Sequence, residues 1–133
     1  MHRFFILLAM LAALTPVASA QADSRDETVR FRPGATSERY SDAIDGYDAV
    51  NYYLDARAGQ HMSVAFEKTA STCYFNILTP SGDETLYDGS AGSDVYSGML
   101  QESGKYRVVV YLMRASARRG ANCRFSIDFA IWD

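Results

Sequence analysis

Histidine, cysteine and proline are scarce in this 133-residue sequence, which holds two, two and three of them. A Ser-His-Asp or Cys-His mechanism away from the N-terminus would have to run through His61. No nucleophile near it sits on a strained GxSxG-type turn. The cysteines, Cys73 and Cys123, stand far apart with no CxxC pair, so they offer no zinc ligand set. Glycine-rich phosphate loops and dinucleotide fingerprints are missing, and no apolar run reaches the roughly 20 residues that span a bilayer. Basic charge is short as well. Thirteen Lys and Arg face 16 Asp and Glu, a net −3, which argues against nucleic acid, whose binders are usually basic. Carboxylates are plentiful, but no spacing marks two of them as a glycosidase pair. These absences leave a protein that binds rather than catalyses, with no cofactor and no metal.

The N-terminus reads as an export signal. Met1-His2-Arg3 is a short basic start, Phe4 to Leu14 carry no charge, Pro16 breaks the run, and Ala18-Ser19-Ala20 is a small-residue cleavage pattern. The expected mature domain is therefore residues 21–133, enough for one domain with a real core and not for two. No cysteine follows the cut, so no lipid anchor is expected and the product is soluble and periplasmic. Losing Arg3 takes the net charge from −3 to −4.

Beyond Glu27 the apolar residues recur with period two, as half-buried antiparallel strands require. Val50, Tyr52, Leu54 and Ala56 form one face, as do Met62, Val64 and Phe66. Tyr106, Val108, Val110 and Leu112 form another, and so do Phe125, Ile127, Phe129 and Ile131. Turn residues separate the runs, among them Pro33-Gly34, Asp45-Gly46, Gly59, Pro80-Ser81-Gly82, Asp88-Gly89 and Ser103-Gly104. The pattern predicts an all-β antiparallel sandwich of eight or nine short strands. One short helical turn is expected near Arg114–Gly120. The acidic stretch 81–98 reads as a hairpin or two with a mobile loop.

Strand phase places Cys73 on the face of Phe75 and Ile77, and Cys123 on that of Phe125 and Ile127. An even pair in an oxidising compartment reads as a disulfide. His61 falls on the phase opposite Met62 and Val64, as a surface strand residue without a role.

The positive feature is a group of arginines beside aromatics. Arg114 and Arg118 are four apart, so one helical turn puts both on one face, with Arg119 adjacent. Tyr111 and Met113 lead toward them on the outward phase of the preceding strand. Guanidinium forks grip carboxylates through two parallel bonds, and tyrosine and arginine are enriched at binding hot spots.

Val29-Arg30-Phe31, Pro33-Gly34 and Ile44-x-Gly46-Tyr47-Asp48, with Tyr52, Ala56 and Gly59-Gln60, resemble the N-terminal half of the periplasmic inhibitors of g-type lysozyme. Tyr74-Phe75-Asn76, Gly104-Lys105-Tyr106 and Tyr111-Leu112-Met113-Arg114, followed by Ala117-Arg118-Arg119, resemble the second half. The resemblance implies a β-sandwich that occludes a lysozyme's substrate cleft. Its functional positions, carried over by motif, are Tyr47, Arg114 and Arg118. A muramidase cleft carries a catalytic carboxylate for a guanidinium and a sugar subsite for an aromatic ring. An acidic inhibitor suits a basic partner.

A second reading is a periplasmic carbohydrate- or peptidoglycan-binding sandwich resembling the pre-peptidase C-terminal type. It would use Tyr53 and Tyr111, with calcium in the acidic loop. That loop lacks the alternating aspartate order of a calcium loop.

Overall fold

A computed structural model describes residues 12–13 and 22–133. The leader expected over residues 1–20 lies, apart from residues 12 and 13, outside the described residues.

Nine strands and one short helix follow one another along the chain. They are β1 (Ser24–Thr28), β2 (Ser37–Asp45), β3 (Ala49–Ala56), β4 (His61–Lys68), β5 (Cys73–Leu78), β6 (Thr85–Asp88), β7 (Val95–Met99), β8 (Gly104–Leu112), α1 (Arg114–Arg118) and β9 (Asn122–Trp132). One sheet runs β1-β3-β8-β5-β6 and the other β2-β9-β4-β7. Their inner faces hold the period-two residues. Val108 and Val110 of β8 and Ile127 and Phe129 of β9 are fully buried, each strand lying inside its sheet between two neighbours. Edge-on aromatic pairs such as Tyr40–Tyr52, Phe66–Phe75 and Tyr52–Phe125 knit the layers together.

The expected sandwich is present, with two departures. The first is β1, which pairs parallel to β3 and has no apolar residue in Ser-Arg-Asp-Glu-Thr. Polar contacts hold it. The buried Asn51 amide donates to Ser24 Oγ and to Asp26 Oδ1, each at 3.0 Å. Arg25 reaches across to β2, pairing with Asp42 at 3.0 Å and donating to the Ala43 carbonyl at 2.8 Å. The second departure is stretch 81–98. Its strands do not pair with each other: β6 pairs with β5, and β7 with β4 in the opposite sheet. The connecting turn is tied down, since Asp88 accepts from the Ser90 N–H and hydroxyl, and Asp94 pairs with Lys68.

Cys73 and Cys123 form a disulfide from β5 to β9. Both are fully buried, so the bridge joins the two sheets. His61 is half-buried and stacks on Trp132 with ring centroids 5.6 Å apart.

Candidate functional site

Two chain connections meet at one end of the sandwich. Residues 46–48 lead from the end of β2 into β3, and residues 113–121 lead from β8 through α1 into β9. Strand pairing brings them together, because Ala49 lies opposite Tyr111 and Asp45 opposite Asn122.

The first connection is a tight turn. Asp48 N–H donates to the Asp45 carbonyl at 3.0 Å. Gly46 has φ +56°, and no residue other than glycine has a positive φ among those described. This is the sign pattern of a type II′ turn, with glycine at its first central position. Tyr47 occupies the second central position and is 55% exposed. A tyrosine left this far in water contributes little to the core.

The second connection is the helical turn expected from sequence. Ser116 and Ala117 face inward and are buried, while Arg114, Arg118 and Arg119 are exposed. Gly120, at φ +70°, ends the helix in the left-handed region, its N–H donating to the Ala117 carbonyl at 3.0 Å. The Ser116 carbonyl accepts from Arg119 and Ala121. A five-residue helix is too short to hold itself in water; buried Ser116 and Ala117, with β8 and β9 at its ends, fix it.

The two connections touch. Gly46 N–H donates to the Ala121 carbonyl at 2.8 Å. Between them lies a recess of about 480 Å³ lined by Ala22, Asp45, Gly46, Tyr47, Asp48, Ala117, Arg118 and Gly120. Tyr47 and Arg118, expected to act together from the sequence, therefore flank one concavity. Arg114 lies one helical turn from Arg118 on the exposed side of α1, and Arg119 adjoins it. Arg25, Arg32, Arg39 and Arg57 are each bound to an acid. Among the described residues Arg114, Arg118 and Arg119 make no ion pair, so their donors remain open to a partner.

Tyr111 stands differently. Its half-buried ring lies 6.2 Å from that of Tyr74, and its hydroxyl donates to Asn76 Oδ1 at 3.1 Å. Burial raises the pKa of that hydroxyl. Tyr111 does not line the recess. Met113, between Tyr111 and α1, is 42% exposed. Of the residues lining the recess, Ala22 was not singled out from sequence, and Asp45 and Asp48 were read only as a turn residue and as part of a motif, without a role of their own. The only signal was the spacing of Asp45 and Asp48 around Gly46, which suits an aspartate turn. No group of three or more His, Cys, Asp or Glu side chains among the described residues is arranged to hold a metal.

No family model matches the chain. A curated relative, an inhibitor of g-type lysozyme from Escherichia coli (strain K12), is 32% identical over 125 residues, covering 92% of this chain and 91% of its own length. Among solved structures, a periplasmic inhibitor of g-type lysozyme from Aeromonas hydrophila, PliG, is similar with a TM-score of 0.76 and 35% identity. That match covers 84% of this chain and all of the other. The PliG of Salmonella Typhimurium matches with a TM-score of 0.64 and 27% identity, over 81% of this chain and 98% of its own. Identity of this level along nearly the full length of both chains places the protein by descent as well as by shape: it belongs to the family of periplasmic inhibitors of g-type lysozyme.

Proposed function

We propose that the protein inhibits g-type lysozyme in the periplasm, and that it does so by laying the Tyr47 turn and the arginine face of α1 across the enzyme's substrate cleft. The observation that carries the reading is the recess in which Tyr47 and Arg118 meet, two side chains distant in sequence and both open to solvent. Arg118 and Arg114 pair with carboxylates of the cleft, and the Tyr47 ring covers a sugar subsite. Arginine suits this task because its planar fork makes two parallel bonds and stays charged at any working pH. Inhibition needs no chemistry beyond exclusion of the glycan.

Placement on a rigid end of the sandwich lowers the entropic cost of binding, since both connections are hydrogen-bonded before any partner arrives. The net charge, −4 once the leader with Arg3 is removed, steers the molecule toward a basic enzyme, while the basic patch makes the local contact.

The test is lysis of bacterial walls, followed by turbidity, with goose-type and chicken-type lysozymes and the purified mature protein. Selective protection against the goose-type enzyme at micromolar protein is expected. Undiminished lysis by that enzyme would refute the proposed function.

A further inference from the structure

Asp48 is a partly buried carboxylate that the proposed contact does not use, and it joins three pieces of the chain. Its Oδ1 accepts from the Asp23 N–H at 2.8 Å and its Oδ2 from the Asp45 N–H at 3.2 Å. One residue further on, the Ala49 N–H donates to the Asp23 carbonyl at 2.9 Å. Asp23 is thus held through both its N–H and its carbonyl, and its neighbour Ala22 forms part of the recess beside Tyr47 and Arg118.

Such an N-terminal stretch is normally the most easily frayed part of a domain. Here it runs directly into β1, whose parallel pairing with β3 begins with Ser24 against Ala49. Asn51 and Arg25 then fasten β1 to both sheets. The polar strand β1 is what carries Ala22 and Asp23 to the recess.

We infer that Asp48 is a positioning residue for the inhibitory contact, locking the Tyr47 turn to the N-terminal segment Ala22–Asp23, which supplies one wall of the lysozyme-binding recess. This rests on the inhibitor function proposed above. Tyr47 sits between two clamps. Gly46 is bound to Ala121 on one side, and Asp48 is bound to Asp23 and Asp45 on the other. The backbone is fixed while the ring stays in solvent, which is the arrangement of a preorganised anchor. An alanine at position 48 accepts neither N–H. An asparagine keeps one acceptor oxygen and with it the bond to Asp23.

The experiment compares the mature protein with Asp48→Ala, Asp48→Asn, Tyr47→Ala and the double variant Tyr47→Ala/Asp48→Ala. Inhibition constants against a g-type lysozyme, melting temperatures and amide exchange at Asp23 are read for each. Asp48→Ala should weaken inhibition on the order of tenfold, as loss of preorganisation does, and should release the Asp23 amide to exchange. Asp48→Asn should recover most of both. In the Tyr47→Ala background, Asp48→Ala should change inhibition little, because the two act through one contact. Parent-like inhibition by Asp48→Ala would overturn the inference. So would full additivity with Tyr47→Ala, or an Asp48→Asn as weak as the alanine variant despite a parent-like melting temperature. A parent that does not inhibit would instead remove the function itself, and the Asp23 exchange data would still show whether Asp48 makes the tether.

Discussion

Gly46 lies against the backbone of Ala117: a Cβ built on Gly46 would stand 3.5 Å from the Ala117 carbonyl oxygen. That is ordinary contact, so space does not forbid a side chain. Backbone conformation does, because Gly46 has φ +56°. Gly46→Ala should therefore cost about 1–2 kcal/mol of stability, the penalty of the left-handed region for an L-residue. It should also weaken inhibition by turning Tyr47. Melting temperature and inhibition constant measured together check this; an alanine variant as stable as the parent would contradict the turn geometry.

The disulfide underlies the same end of the sandwich. Cys73 pairs with Leu112 at the end of β8, and Cys123 follows directly on Asn122 at the start of β9. The bridge thus ties β9, which follows α1, to β5, the hydrogen-bonded neighbour of β8, which precedes it. Replacing both cysteines with alanine should cost up to about 4 kcal/mol in the chain-entropy account of a loop this long. Denaturant unfolding measures that loss. Alkylation of the non-reduced, denatured protein should add no mass, and labelling would disprove the bridge.

Acid should weaken the contacts of Glu38 on β2 and of Asp88 on β6. Hydrogen bonds from the Arg32 guanidinium, and then from its backbone N–H, hold the Glu38 carboxyl below the usual carboxylate range. The Ser90 hydroxyl does the same for Asp88. A depressed folded-state pKa favours the charged form in the fold. Its contribution is present above the unfolded pKa and is lost as pH falls through the folded one. Melting temperature should drop on the acid side of the carboxylate range, and less steeply in Glu38→Gln. Equal acid slopes for parent and variant would contradict the assignment.

The strands that alternate were legible in sequence because burial on one face writes itself as period two. Met62-Val64-Phe66 and Phe125-Ile127-Phe129 therefore lie on the inner face as expected. The helical turn was legible from the arginine spacing and Gly120. β1 was not legible. Its stability comes from Asn51, Arg25 and backbone pairing, none of which leaves an apolar pattern in Ser24–Thr28. The separation of β6 and β7 into different sheets was hidden as well, since strand pairing across a sandwich is not a local property. In the recess, Tyr47 and Arg118 were named from a motif; Asp48 stands in the same motif as Tyr47, but its bond to the Asp23 N–H, 25 residues away, leaves no local pattern in the sequence.

Lysine should not replace arginine in the contact. Arg114→Lys keeps the charge but loses the two-pronged bond to a carboxylate, so inhibition should remain well short of the parent's. Full activity of Arg114→Lys would mean that charge alone is read.

The most direct test of the inhibitory surface is the inhibition constant against a g-type lysozyme for Tyr47→Ala, Arg114→Ala and Arg118→Ala. The control is Arg124→Ala, whose exposed side chain lies outside the recess on β9. Each of the three site variants should keep its melting temperature, since exposed positions change stability by about half a kcal/mol or less. Each should lose binding on the order of 2 kcal/mol, or about thirtyfold, if the contact is desolvated in the complex. Arg124→Ala should inhibit as the parent does. Parent-like inhibition by Arg114→Ala and Arg118→Ala would contradict the proposed surface.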